Sequence, residues 1–325
     1  MKVSVVIANK DGERFLKRCL DSILVEKGDY EVIVVDDPAP RGVQGKRTNR
    51  VRRIGLPRNV GAAEARNIGV KNSTGEYIMF LDVDTKIQPG WYKEVLSFFK
   101  RNKKTGAAQV KILRLRTSNF DSAGEFMGPF GFLIERARMS EDKGQFDQED
   151  KIFSGKSAGM IIRREVFEKL NGFDRDYWIF LEDTDLFWRT WLLGWEVRFC
   201  PKIVVEHAYL TKEKPMKFYV ENKVFYRGAR NTIMNLVKNI EAKRWWVVLV
   251  NVLCWLVLGV VLCLKGDFQR GWAMFAGVGW NIINLPKTLK KRMVCGNKLP
   301  DEVMAKRSLG YYLGKAKAYV TGKPF

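Results

Sequence analysis

The feature that most constrains the fold is an alternation, over the N-terminal third of the chain, between short apolar runs and segments of helical period. The apolar runs are residues 3–8, 31–35, 51–54, 77–81 and 107–115. Between them, apolar side chains recur at helical spacing, as at Leu16, Leu20 and Ile23, and Asn59 is predicted to cap a later helix. Buried strands that alternate with helices form a mostly parallel sheet covered by helices. The sequence therefore predicts an α/β fold.

The rest of the globular part is less regular. Residues 116–157 lose the period and combine glycine, phenylalanine and mixed charge, which predicts irregular strands and loops. A helix from Glu165, a turn at Asn171-Gly172, a helix that opens near Glu182 and a strand around Val197 follow. The composition changes after this part of the chain, so the first domain is predicted to span residues 1–238.

The C-terminal third contains two hydrophobic stretches. Residues 245–264 form an uncharged run of about twenty residues, the length that crosses ~30 Å of hydrocarbon. Residues 272–285 are shorter and include Asn281 and Asn284, so this stretch either returns across the bilayer or lies in its surface. A buried core helix is the alternative for the first stretch. The sequence favours a membrane-associated helical hairpin over 239–292, with a single crossing left open.

Basic residues flank both hydrophobic stretches, with Lys243 and Arg244 before them and a cluster at 287–292 after them. Positive charge concentrates on the cytoplasmic side of membranes. The expected location is thus the cell membrane, with domain 1–238 and the basic tail 293–325 in the cytoplasm. Cys295 is then expected to react with impermeant maleimide only in opened cells.

Charge and cysteine content narrow the functional classes. A net charge of +21 implies a surface that attracts phosphate, on nucleic acid, a nucleotide or an anionic membrane. The five cysteines are odd in number and scattered, without metal-ligand spacing, which fits a reducing compartment. The turn after the first strand has no GxGxxG sequence, which argues against a dinucleotide cofactor.

Acidic residues end two of the predicted strands, where open parallel sheets bind their ligands. Asp36-Asp37 follows the second apolar run, and its carboxylates suit a base N–H or a ribose hydroxyl as well as an ordinary capping turn. Asp82-Val83-Asp84 follows the fourth run, and a spacing of two along an extended segment directs both carboxylates to one ion. Similar triplets at 174–176 and 183–185 show that the spacing alone is not specific. Its position at a strand end favours metal and diphosphate binding.

Two further positions have both structural and chemical interpretations. Glu182-Asp183 opens a predicted helix, where acidic residues also complement the helix dipole. His207 is the only histidine and ends an apolar run, a place where a histidine is more often a hydrogen-bonded structural residue than a ligand.

Taken in order, these segments resemble the family-two glycosyltransferases with the GT-A fold, from residue 3 to about residue 238. The resemblance rests on the strands that end in Asp36-Asp37 and Asp82-Val83-Asp84. It also rests on the ordered segments 59–61, 65–69, 121–124, 157–160, 171–174, 180–186 and 204–207. It implies a GT-A nucleotide-sugar-binding fold with a Rossmann-like, mostly parallel sheet, followed by the C-terminal hydrophobic helical membrane segment.

The resemblance also implies an inverting transfer from a UDP-, dTDP- or GDP-sugar to a hydroxyl of a glycan or of a polyprenyl- or lipid-linked acceptor. Asp183 is implied as the catalytic base, and Asp84 and His207 as ligands of Mn²⁺ or Mg²⁺. The donor-binding residues implied are Asp36, Asp37, Arg66 and Asp82. The hydrophobic C-terminal part is similar to that of membrane-associated, rhamnosyltransferase-like members.

The chain departs from the family pattern in two places. Residues 38–40, Pro-Ala-Pro, replace the usual Gly-Ser after the acidic pair, and no Gln-x-x-Arg-Trp follows His207, which argues against a processive synthase.

A basic membrane-bound protein that binds nucleic acid or lipid without catalysis is the alternative function. The basic residues are dispersed and no RNA-binding signature is present, so no nucleic-acid partner is expected. An inactive scaffold is a third interpretation. Every carboxylate that the family pattern expects is present, which argues against it.

Overall fold

The computed structural model describes residues 1–39, 50–208, 222–293 and 298–305, with single residues at 310, 314 and 317. Two compact units are present. Unit 1 comprises Met1–Glu125 and Glu135–Tyr209, and unit 2 comprises Phe126–Ile134 and Leu210–Phe325.

Unit 1 is built on a mixed sheet of nine strands in the order β3-β2-β1-β4-β10-β6-β11-β5, with β7 beside β6. The strands are β1 Val3–Asn9, β2 Tyr30–Asp36, β3 Val51–Gly55, β4 Tyr77–Asp82, β5 Thr85–Ile87, β6 Thr105–Arg114, β7 Phe120–Ser122, β10 Gly159–Arg163 and β11 Glu196–His207. Strands β3, β2, β1 and β4 are parallel, and β10 is antiparallel to both β4 and β6. A separate two-stranded hairpin, most of which belongs to unit 2, pairs β8 Glu125–Met127 with β9 Leu133–Glu135.

Four of the five helices described in unit 1 lie where the sequence predicts them, whereas the helix at Trp91–Arg101 was not predicted individually. The five helices are α1 Glu13–Leu24, α2 Ala62–Lys71, α3 Trp91–Arg101, α4 Arg164–Lys169 and α5 Glu182–Leu192. The apolar side of α1, including Leu16 and Ile23, and that of α3, including Phe98, are buried in one cluster with strand residues such as Val5 and Ile7. The α/β architecture is confirmed, and the segment 116–157 contains only short strands, as expected.

The parallel register places the strand ends that matter for function at one edge of the sheet. Asn9 at the end of β1 pairs with Asp36, and Ala8 pairs with Asp82. The acidic ends of β2 and β4 therefore flank the end of β1, although they are distant in sequence.

The predicted helix cap at Asn59 is wrong. Helix α2 begins at Ala62, and Gly61 is its N-cap residue with a φ of 88°. Asn59 instead accepts a hydrogen bond from the Gly61 N–H at 3.0 Å. The left-handed backbone at Gly61 favours glycine. An added Cβ would also lie 2.7 Å from the Trp178 ring and 2.8 Å from the Trp178 carbonyl oxygen.

We expect Gly61→Ala to destabilise the fold by roughly 1–3 kcal/mol, because it combines backbone strain with a collision. Gly90→Ala is the reference for a methyl added at positive φ, since Gly90 has a φ of +93° and an added Cβ meets nothing within 4 Å; its ψ is −5°, against 158° at Gly61. Denaturant unfolding of both variants measures the difference. Equal losses would show that the contact with Trp178 contributes nothing beyond the strain.

Unit 2 contains four described helices, namely α6 Asn222–Asn239, α7 Trp246–Leu264, α8 Phe268–Ile283 and α9 Leu285–Lys290. Helix α8 packs against both α6 and α7. Within the described ranges, Ala242–Leu264 is the one helix long and apolar enough to cross a membrane, with 23 residues and a mean hydropathy of 2.9 over an 18-residue window. The structure groups α6 with the hydrophobic helices, whereas the sequence predicted that the first domain ends after it, at residue 238. Cys295 lies outside the described residues.

Candidate active site

Three side chains at the sheet edge form a possible metal site. Ligand atoms of Asp82, Asp84 and His207 all lie within 4.8 Å of one another. Strand β4 ends at Asp82. The pairing of β11 with β5 places His207 opposite Thr85, and Thr85 directly follows Asp84 in the sequence. The His207 Nε2 lies 3.2 Å from the Asp84 Oδ1. Two carboxylates and an imidazole are a donor set that suits Mn²⁺ and is compatible with Mg²⁺.

The His207 ring nitrogen on the side away from Asp84 contacts Asp121, which in turn forms an ion pair with Lys156. The His207 Nδ1 lies 3.0 Å from the Asp121 Oδ2, and the Lys156 Nζ lies 3.3 Å from the Asp121 Oδ1. Burial lowers the pKa of His207, but hydrogen bonds to Asp121 and Asp84 outweigh it and raise that pKa to about 10. Burial raises the pKa of Asp121, but the Lys156 ammonium and His207 hold it below its usual range. The sequence marked Asp121 only as part of a motif, because its contact with His207 spans 86 positions.

We expect Asp121→Asn to weaken Mn²⁺ binding about 10- to 100-fold, since a partner behind a ligating histidine fixes its tautomer and orientation. Isothermal titration with Mn²⁺ measures this loss. Asp147→Asn is the control, because Asp147 is also paired with a lysine, Lys111, but its side chain is 55% exposed. Unchanged Mn²⁺ affinity in Asp121→Asn would contradict the positioning role.

Arg66 joins the two halves of the site. From helix α2, its Nη2 donates to the Asp82 Oδ1 at 2.9 Å and its Nη1 donates to the Glu182 Oε1 at 2.6 Å. The Arg66 side chain is only 5% exposed. Its two hydrogen-bonding ends thus already meet carboxylates of this chain, so the guanidinium fixes Asp82 relative to the start of α5.

Asp183 stands at the first turn of α5 beside this arginine. Its Oδ2 accepts hydrogen bonds from the Ser157 backbone N–H at 3.0 Å and from the Ser157 hydroxyl at 3.3 Å. Its Oδ1 accepts from the Thr184 N–H at 2.8 Å. Burial raises the pKa of Asp183 despite these donors. The carboxylate is therefore oriented, partly buried and more basic than usual.

The backbone that leads into α5 is strained. Trp178, Phe180 and Leu181 have φ values of 65°, 72° and 63°, in the left-handed region that non-glycine residues rarely occupy. Such conformations persist only when the surrounding structure enforces them, and they cluster at functional sites. Here the strained segment sets the direction in which Glu182 and Asp183 enter the site.

The neighbouring carboxylate Asp185 has a different environment. Its side chain is fully buried, lies 2.6 Å from the Arg189 Nη2 and accepts from the Tyr177 hydroxyl at 3.4 Å. Of the two aspartates in the triplet 183–185, Asp183 is therefore the oriented carboxylate at the site, and Asp185 forms a structural ion pair.

The acidic pair at the end of β2 is buried and fully engaged. Asp36 accepts hydrogen bonds from Asn9 Nδ2 at 2.7 Å and from Arg53 Nη2 at 2.7 Å. Asp37 accepts from the backbone N–H groups of Val60 at 2.6 Å and Gly61 at 2.9 Å. Asp37 therefore holds the turn before α2 but does not cap that helix, because both donors precede Ala62, its first residue.

Sequence reasoning missed Glu125. This buried residue accepts from the Ser154 hydroxyl at 2.6 Å, and burial, together with the nearby Asp183 and Glu135, raises its pKa to about 7. Its position next to the motif at 121–124 was the available signal, but nothing in the sequence related it to Asp183.

Comparisons with known proteins fit this architecture. A family model described as Glycosyl transferase family 2 matches residues 4–171, and one described as N-terminal domain of galactosyltransferase matches residues 141–214. The chain is 27% identical to an uncharacterized glycosyltransferase of Nostoc sp. over 244 residues, which cover 71% of this chain and 66% of that relative. This chain therefore spans just under two thirds of that relative's length.

Two solved structures share the fold. One is GalNAc-T7 with UDP, GalNAc and Mn²⁺, at a TM-score of 0.54 and 17% identity over 65% of this chain and 44% of that chain. The other is the mannosyltransferase PcManGT from Pyrobaculum calidifontis in complex with GDP-Man and Mn²⁺. It gives a TM-score of 0.50 and 14% identity over 99% of this chain and 82% of that chain.

Proposed function

This chain belongs to glycosyl transferase family 2 and has the GT-A fold, and from that premise we propose that it transfers a sugar from a nucleotide-diphosphate sugar to a hydroxyl group. The observation that carries the proposal is that Arg66 bonds both Asp82, which forms a possible metal site with Asp84 and His207, and Glu182, the residue before the oriented carboxylate Asp183. The transfer needs both a charge-stabilising group and a proton acceptor.

Asp84 and His207 are the proposed protein ligands of Mn²⁺ or Mg²⁺, with Asp82 beside them. A bound divalent ion would stabilise the negative charge that develops on the leaving diphosphate. The imidazole slightly favours Mn²⁺ over Mg²⁺, and the Mn²⁺ in both structural neighbours supports this choice. Asp121 and Lys156 keep His207 aimed at this position.

Asp183 is the proposed general base. An alcohol is a weak nucleophile at neutral pH, so its proton must pass to a carboxylate as the new bond forms. The acceptor oxygen attacks the anomeric carbon opposite the departing diphosphate, and the configuration inverts. Ser157 and Thr184 hold the Asp183 carboxylate, while Arg66 positions Asp82 and Glu182.

We also propose that the edge formed by Asp36, Asp37 and Asp82 binds the nucleoside part of the donor, with Arg66 close to the diphosphate. Asp37 fixes the Val60-Gly61 turn at the start of α2, and Asp36 fixes Arg53. These contacts fix the backbone and side chains at this edge, and the UDP and GDP-Man bound by the structural neighbours support a nucleotide-sugar donor. A hexose or deoxyhexose donor, including rhamnose, is proposed on the resemblance alone.

The proposed acceptor is a glycan hydroxyl, on a polyprenyl- or lipid-linked carrier at the cytoplasmic face of the cell membrane. The apolar helix Ala242–Leu264 supports a membrane location. The proposed organisation follows: catalytic domain 1–238, membrane-associated segment 239–292 and basic tail 293–325.

The test is hydrolysis of UDP-, dTDP- and GDP-sugars by the purified full-length protein, with and without Mn²⁺. We expect one nucleotide class to be hydrolysed and excess EDTA to stop the reaction. Binding of nucleic acid or lipid without turnover of any donor would overturn the proposal in favour of a binding protein.

The pH profile tests the base. Because burial raises the pKa of Asp183, the carboxylate accepts a proton only at pH values above that raised pKa. We expect the acid limb of the kcat/KM profile, measured at saturating Mn²⁺, to lie above the usual range of an aspartate. A limb at the ordinary aspartate pKa would assign the base role elsewhere.

A further inference from the structure

Helix α7 has two distinct faces, although its sequence is uncharged and mostly apolar. Six large apolar residues are each about half or more exposed: Trp246, Leu249, Leu253, Val257, Val260 and Leu264. At 3.6 residues per turn, all six fall within an arc of about 80°. We call this stripe the apolar face. Helix α8 extends the exposed apolar surface of unit 2 with Trp272, 66% exposed, and Ile282, 71% exposed.

The opposite side of α7 is packed against protein. Asn251 Nδ2 donates to the Phe130 carbonyl oxygen at 2.9 Å, and the Trp255 ring lies 5.8 Å from the Phe132 ring. Gly259 is buried, and an added Cβ there would lie 2.5 Å from the Phe275 ring of α8. A helix that crosses a bilayer alone would expose this side, with its asparagine, to lipid.

Helix α6 makes a crossing by α8 equally unfavourable. The Arg230 guanidinium of α6 lies 4.1 Å from the centre of the Trp280 ring, and Asn281 Nδ2 donates to the Arg230 carbonyl oxygen at 2.9 Å. An added Cβ at Gly277 would lie 2.6 Å from the Tyr226 carbonyl oxygen, so the two backbones are close. Helix α6 also carries Lys223, Arg227 and Lys238. A helix with four basic residues would have to enter the hydrocarbon with α8.

Basic residues lie at both ends of α7, and others lie on α9, which follows α8 along the chain. Lys243 and Arg244 precede α7, Lys265 follows it, and Lys287 and Lys290 lie on α9. Apolar side chains on one side, with lysine and arginine at the margins, match a helix pair that lies in the plane of an anionic lipid surface.

We propose that α7 and α8 do not cross the membrane but lie in the plane of one leaflet, with the apolar face of α7 in the lipid and the basic margins on anionic headgroups. The partner is an anionic lipid bilayer. The covered inner side and the charged α6 distinguish this arrangement from the spanning hairpin favoured by the sequence.

Vesicle flotation of the full-length protein tests the apolar face. We expect binding to phosphatidylcholine vesicles that contain phosphatidylglycerol, and at least tenfold weaker binding for Leu249→Glu with Leu253→Glu. The control is Val25→Glu, because Val25 is 63% exposed at the end of α1, outside the face. Equal binding by the double variant would overturn the proposal. A dimer that the same variant dissociates, without vesicle binding, would assign the face to a second copy and overturn it as well.

Cysteine labelling in cells separates in-plane from spanning helices. Lys243→Cys and Lys265→Cys are introduced singly into a chain with Cys254, Cys263 and Cys295 changed to serine. In-plane helices keep positions 243 and 265 on one side, so impermeant maleimide labels both or neither in intact cells and both after opening. Labelling of only one position in intact cells would show that α7 crosses the membrane.

Discussion

Asp84→Ala is expected to lower glycosyl transfer and donor hydrolysis about a thousandfold or more while the protein stays folded. Asp84 supplies a carboxylate at the proposed metal site, with its Oδ1 3.2 Å from the His207 Nε2. Loss of a charge-stabilising group aimed at a developing anion typically costs about 100- to 1,000-fold, and loss of the metal removes more. Rate measurements at saturating donor, with Mn²⁺ titrated, quantify the effect.

Asp21→Ala is the control for this variant, because the Asp21 side chain is 60% exposed and pairs only with Lys17 in its described contacts. Thermal unfolding confirms that both variants are folded. Full activity of the wild type in excess EDTA, or of Asp84→Ala at any Mn²⁺ concentration, would refute the metal assignment.

Asp183→Asn is expected to lower turnover about 100- to 10,000-fold while donor binding is retained. The amide has nearly the same shape as the acid, but it accepts no proton from the acceptor hydroxyl. One Asp183 oxygen accepts a hydrogen bond from the Ser157 N–H at 3.0 Å, and the other accepts from the Thr184 N–H at 2.8 Å. In Asp183→Asn the amide nitrogen replaces one of these two acceptor oxygens. Single-turnover rates and donor binding, measured on the same preparation, separate chemistry from folding.

Asp185→Asn provides the contrast within the same helix. Asp185 is buried against Arg189, 2.6 Å away, so its loss is expected to lower the melting temperature and to leave kcat of the folded fraction near wild type. If Asp183→Asn keeps its turnover while folded Asp185→Asn is inactive, the base has been assigned to the wrong carboxylate.

The sequence determined strands β1 to β4 and β6, the helices of unit 1 other than α3, and the location of the acidic strand ends, but it did not predict β10. Local patterns carry this information, because burial on both faces selects continuous apolar strands such as β1 and β4, and an amphipathic period selects α1. The resemblance implied Asp84 and His207 as metal ligands and assigned Asp82 to the donor, whereas the structure brings the ligand atoms of all three within 4.8 Å of one another.

Only the tertiary structure decided which groups act on one another. Arg66 meets Glu182 across 116 positions, and His207 meets Asp121 across 86, because the sheet order brings distant segments together. The uniform apolar run of α7 could not reveal which side is covered, since hydropathy is a property of composition, whereas burial depends on which neighbours pack against a helix. Side-chain identity fixed the available chemistry, and tertiary packing fixed its partners.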